Sequence, residues 1–165
     1  MVRYPALFVA YLLLQVVLFE KLTLFDLAAP HVFLTYLLYL PLGWPKWIGY
    51  LLAFVMGHLV SIFAPPYGAH AFTAVLLMGL RQIWVELIKP QVSGSDVDEL
   101  KFETQSFGWQ LFYAAPLLLV YELTYHILSD FGVTFQSLLK GVGSAAYTLA
   151  FLLVFFILFY KRTEK

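Results

Sequence analysis

Apolar residues fall along this chain in six blocks, and the residues between the blocks are mostly of the kinds that stop helices or sit at a membrane surface. The blocks predict helices over residues 4–20, 27–42, 45–64, 69–88, 107–129 and 135–160. The first opens with Arg3 and with Pro5 at a favourable first-turn position. A secretory signal peptide shares that basic start and apolar core. Here, however, Glu20-Lys21-Leu22-Thr23 follows where a small-residue cleavage site would stand, so the run is read as a retained helix. The second block follows Asp26, carries Pro30 in its first turn, and is shorter than the roughly 20 residues that span hydrocarbon.

Trp44, Pro45, Lys46 and Trp47 suit the headgroup region and introduce the third block. The third and fourth blocks are joined by Ala64-Pro65-Pro66-Tyr67-Gly68. Proline removes an amide donor and fixes φ, and Gly68 can take a positive φ, so Pro65, Pro66 and Gly68 predict a tight reversal between two long helices. Lys89-Pro90 ends the fourth block. The hydrophilic stretch 89–105 follows, its acids Asp96, Asp98, Glu99 and Glu103 reading as solvated loop side chains. The fifth block contains Pro116, and a connector with Asp130 and Gly132 leads into the sixth.

Composition turns this pattern into a class. Of 165 residues, 62% are hydrophobic and 12% charged, and mean hydropathy is +0.82. Soluble domains are about half apolar and a quarter charged, so the chain reads as an all-α integral membrane protein, one domain over 1–165. Zero net charge offers no basic surface to nucleic acid, and the lack of cysteine excludes disulfides and thiolate metal sites. With six spans, Arg3, Lys46, Lys89, Lys101, Lys161, Arg162 and Lys165 share one side, against Lys21 and Lys140. The positive-inside rule then puts both termini and loop 89–105 in the cytoplasm. If the second block only re-enters, five spans remain and the amino terminus lies outside. Six is the reading adopted.

Ionisable groups within apolar helices are the informative residues, because they are expensive there. They are His58, Arg81, Glu86, Glu122 and His126. In the six-span arrangement Gln15, Glu20, His58, Ser61, His70, Glu122 and His126 share the outer half of the membrane, a cluster by depth. His58 with Ser61, and Glu122 with His126, each fall on one helix face. His58, Ser61, His70, Glu122 and His126 are therefore candidates for a partner groove, with interhelical hydrogen bonding as the plainer alternative. Arg81, past the middle of its helix, is expected to snorkel toward the cytoplasm, and Glu86 to be interfacial. Ala6 with Ala10, and Gly141, Ala145, Ala146 and Ala150, have spacings that permit close helix approach. No catalytic order of nucleophile, base and acid, phosphate loop or zinc motif is present, so no catalytic, cofactor or metal residues are assigned.

Two stretches resemble a known family. Tyr11 to Leu42, with an LQ followed by LF and then AxP, and the hairpin GHLVSIFAPPYGAHAFTAVLLMGLR, are similar to MreD, the small multi-pass protein of bacterial cell-shape and wall-elongation machinery. Gly57, Gly68, His70, Ala71 and Arg81 fit the family pattern, whereas Ser61 stands where members usually carry aspartate. The resemblance implies a non-enzymatic scaffold of the cytoplasmic membrane. Such a protein binds the single-span protein MreC, links MreB filaments to the wall synthases outside, and has helices arranged like the substrate-capture subunits of energy-coupling-factor transporters. A homodimer within that complex is compatible with it. The rival from another class is a vitamin-type substrate-capture subunit of an uptake transporter.

Overall fold

The computed structural model describes residues 3–22, 28–88 and 106–157, without the side chains of Arg3 and Glu20. Asp26, the loop 89–105 and Lys161, Arg162 and Lys165 lie outside these residues. Among them the chain is helical. Helix α1 (Arg3–Leu13) continues through a π-helical turn at Leu14–Leu18 and a 3-10 turn at Phe19–Lys21. It is followed by α2 (Phe33–Leu38), α3 (Lys46–Phe63), α4 (Ala69–Ile88), α5 (Phe107–Ser129) and α6 (Phe135–Phe155). Helices α3 to α6 are each long and apolar enough to cross a membrane. Large apolar side chains such as Leu51, Phe54, Ile62, Phe72, Ile83 and Phe112 remain exposed on their outer faces. Those are surfaces for lipid or for partner helices rather than for water. The result is a bundle suited to a membrane-embedded protein.

The helix ends follow from local chemistry. Ala64, preceding proline, is extended at φ −124° and ψ 100°. Gly68, at φ +87°, supplies the left-handed residue that lets the chain reverse into α4. Near this reversal α3 and α4 touch backbone to backbone: a Cβ built on Gly57 would sit 2.6 Å from the His70 carbonyl oxygen and 2.7 Å from Ala71 Cα. The Ser106 hydroxyl caps α5, and Thr134 and Ser137 form a reciprocal capping box at the start of α6. Helix α5 runs unbroken through Pro116. At its other end Gly132 N–H donates to the Ile127 carbonyl at 3.0 Å and Phe131 N–H to Leu128 at 3.3 Å. This C-terminal motif usually ends on glycine, but here Phe131 takes the left-handed conformation at φ 54°.

The second apolar block departs from the expected helix over 27–42. Among its described residues only Phe33–Leu38 is helical, and Ala28 to His31 lies outside any helix. Proline at 30 removes a donor from what would be the first turn, and every residue from Pro30 to Leu40 is buried. The block is apolar because it forms the centre of the protein core. Phe33, Leu34, Leu37 and Leu38 are fully enclosed, surrounded by Met56, Leu77, Tyr113, Leu118, Tyr121 and Leu152 from the long helices. This central segment reaches along the bundle. Ala29 meets Ser144 of α6 at one end, and at the other Tyr4 of α1 packs edge-on against Trp44 with ring centroids 4.7 Å apart.

Candidate functional site

A non-helical backbone inside an apolar bundle leaves amides and carbonyls that must find partners within the protein. The side chains that supply them form a clasp around residues 28–33. Ser144 Oγ accepts from Ala29 N–H at 3.1 Å, and Thr148 Oγ1, one turn later on α6, accepts from His31 N–H at 3.0 Å. From α1, Gln15 Nε2 donates to the Pro30 carbonyl at 3.2 Å, and Gln15 Oε1 receives Phe33 N–H at 3.4 Å. Gln15, in the π-helical turn, and Phe19, at the start of the 3-10 turn, are both buried four residues apart.

At the heart of the clasp His31 Nδ1 lies 2.8 Å from both carboxylate oxygens of Glu122, and Thr148 donates to Glu122 Oε1 at 2.9 Å. Glu122 has no exposed surface and His31 is 3% exposed, so each is the other's compensation for leaving water. Thr148 therefore joins main chain and side chain of one residue, accepting from His31 N–H while donating to the carboxylate that holds the His31 ring. One turn along α5, His126 Nε2 pairs with Ser144 Oγ at 3.0 Å. His70 of α4 stacks on Tyr125 with centroids 4.1 Å apart, meets the His31 ring edge-on at 4.9 Å, and bonds Tyr121 through Nδ1 at 2.7 Å. Its Nε2 is buried without a partner among the described residues.

The other end of the central segment is held by Arg81. Its Nε donates to the Leu38 carbonyl at 3.2 Å and to Tyr113 Oη at 2.8 Å, and Nη2 donates to the Leu40 carbonyl. Tyr113 in turn donates to Leu38 at 2.9 Å, and Tyr39 Oη to Gln110 Oε1 at 2.8 Å. Leu38 is the last residue of α2, so its carbonyl is one that a helix leaves unsatisfied, Leu40 lies just beyond the C-cap, and a cation there also meets the negative end of the helix dipole. The snorkelling expected of Arg81 is therefore corrected. The side chain is 4% exposed and turns into the bundle because the short helix ends there.

The five groove candidates divide. His70, Glu122 and His126 join one internal network. Ser61 is buried on α3 one turn beyond Gly57, its hydroxyl unpaired among the described residues, and His58 is exposed on the outer face of α3, stacked on Phe54 with centroids 5.9 Å apart. Ala6 and Ala10 are exposed on α1, whereas Gly141 and Ala145 are buried. Glu86 is exposed and pairs with Lys46 at 3.7 Å. Sequence reasoning missed His31, Ser144 and Thr148. The available signal was a histidine directly after Pro30 in a run of hydrocarbon, and two hydroxyls four apart on an apolar helix. No group of three or more histidine or carboxylate ligands among the described residues is arranged to hold a metal. Comparison with family models, with curated proteins and with solved structures found no match to this chain.

Proposed function

We propose that this chain is a non-enzymatic scaffold of the bacterial wall-elongation machinery, an MreD-like bundle of six spans in the cytoplasmic membrane. It binds the single helix of MreC and through it connects MreB filaments with the wall synthases. The observation that carries the reading is that the residues bearing the resemblance hold the architecture together. Gly57 permits the α3–α4 contact, His70 packs on the clasp, and Arg81 caps the buried helix. Six spans follow from counting the central segment as a crossing, which its contacts with Ser144 at one end and Arg81 at the other support. The Lys46 end then faces the cytoplasm. The clasp engages its polar groups with the protein's own backbone, which suits a rigid part better than a site that must offer donors and acceptors to a solute.

Partner recognition then falls to an outer face. His58 is a polar side chain exposed among Leu51, Phe54, Val55 and Ile62 on α3, and a polar group in that position gains most from a neighbouring helix. The test is co-purification of the full chain with MreC in mild detergent. The expected result is capture by the native chain and clearly weaker capture by His58→Leu, whose bundle is undisturbed because the side chain is exposed. No capture by the native chain would overturn the scaffold reading, and unchanged capture by His58→Leu would overturn this face. One observation favours the vitamin-capture alternative. Ala6 and Ala10 stay exposed on α1, where a transporter helix could approach closely. A vitamin that raised the melting temperature of the purified chain would support it.

A further inference from the structure

At the Lys46 end a cavity of about 100 Å³ opens between the foot of the central segment and α4, lined by Trp44, Lys46, Arg81, Gln82 and Glu86 over Met78 and Val85. Beside it a shallower furrow of about 460 Å³ follows the outside of α3 and α4 past Tyr50, Gly79 and Ile83. Lys46, Gln82 and Glu86 line both, so the two mostly apolar recesses adjoin at the Lys46–Glu86 pair, which puts charge at their common mouth. We propose that the two together bind one aminophospholipid, its phosphate against Lys46, its ammonium against Glu86, and an acyl chain in the furrow over Gly79.

Charge selects this headgroup. Arg81 directs its guanidinium to the carbonyls of Leu38 and Leu40 and to Tyr113, leaving Lys46 and Glu86 as the charges at the mouth. These two are 69% and 61% exposed and 3.7 Å apart, a long, solvated pair that contributes little by itself and opens readily. A phosphodiester linked to a primary ammonium presents the opposite charge to each. The ammonium can donate to the Glu86 carboxylate and the Gln82 amide oxygen, which a quaternary ammonium cannot do. Phosphatidylglycerol carries the same phosphate but offers Glu86 only neutral hydroxyls, so the carboxylate would give up Lys46 with no cation to replace it. Depth agrees as well. Trp44 and Trp47 belong at the headgroup level, and Gly79 lies two turns along α4 from Glu86, about 10 Å deeper, where an acyl chain begins. Gly79 has room for that chain, since a Cβ built there meets only Tyr50, at 3.5 Å.

The experiment is thermal unfolding of the full chain in mild detergent. The additives are phosphatidylethanolamine, phosphatidylglycerol or phosphatidylcholine of one acyl composition, with phosphoethanolamine and inorganic phosphate as soluble probes. Phosphatidylethanolamine is expected to raise the melting temperature most and to half-saturate at about tenfold lower concentration than the other lipids, the value of one added charge-assisted hydrogen bond. Glu86→Gln, at an exposed position, should abolish that preference while keeping the fold. Gly79→Leu should weaken the response to all three lipids by filling the furrow. Equal responses to the three lipids, a preference for phosphatidylglycerol, or a preference that survives Glu86→Gln would overturn the proposal. A shift with phosphoethanolamine or phosphate equal to that with the lipid would assign the cavity to a soluble ligand instead.

Discussion

Replacing Gly57 by alanine adds one methyl group at the closest approach between α3 and α4, and the structure sets the size of the effect. The new Cβ would lie 2.6 Å from the His70 carbonyl oxygen, 2.7 Å from Ala71 Cα and 2.8 Å from Ala71 N, whereas ordinary contact begins at 3.4 Å. All three atoms are main chain, so no rotamer change can relieve the overlap. Helix α4 must retreat by most of an ångström, and His70, with its Tyr121 bond and its stacking on Tyr125, moves with it. Overpacking of this kind costs about 1–3 kcal/mol. Two other glycines provide the controls. At Gly49 the equally close neighbour is the terminal methyl of Met78, which can swing aside, and at Gly79 the nearest atom is Tyr50 Oη at 3.5 Å. Reversible unfolding in mixed detergent, followed by tryptophan fluorescence, should rank Gly57→Ala well below Gly49→Ala, with Gly79→Ala within about 0.5 kcal/mol of the native chain. If Gly57→Ala unfolded at the same detergent fraction as the native protein, or if all three variants lost equal stability, the argument from main-chain contact would be refuted.

Arg81→Lys keeps the charge but loses the fork that reaches Leu38, Leu40 and Tyr113 together, so stability in the same assay should fall by about 1–3 kcal/mol, with Arg81→Met lower still. Thr148→Val is nearly isosteric, yet it strands the His31 amide and removes a donor from Glu122. A loss of about 1–3 kcal/mol is expected, and a double-mutant cycle with Glu122→Gln should show coupling of about 0.5 kcal/mol or more. Phe131→Gly should leave stability unchanged or raise it by up to about 1 kcal/mol. The replaced side chain is 90% exposed at a φ that suits glycine, and a clear loss on detergent titration would contradict this.

Long helices were readable in the sequence wherever local rules decide the outcome. Ala64-Pro65-Pro66-Tyr67-Gly68 allows little but a reversal, and α4 starts at Ala69 directly after it. The central segment was not readable in the same way, because hydropathy measures avoidance of water and does not distinguish a residue facing lipid from one facing protein. Leu34 and Leu51 look alike in sequence, but the first is fully enclosed and the second 51% exposed. The same ambiguity affects the polar residues. His31 and His58 both interrupt apolar runs, and only the fold shows that one closes on Glu122 while the other faces outward. The depth grouping of Gln15, His70, Glu122 and His126 could be anticipated from charge and length. Their common target, the unwound backbone at residues 28–33, could not, since Pro30 signals the interruption without naming what satisfies it.

The clasp also bears on biogenesis. His31 is matched by groups that emerge from the ribosome 91 and 117 residues later, so the middle of the bundle has no complement while the first half of the chain is being synthesised. Its final lodging must follow delivery of α5 and α6 to the bilayer, as a slow, long-range closing step. Nascent chains arrested before Ser144 would therefore carry exposed amides inside the membrane, the kind of defect on which membrane proteases act.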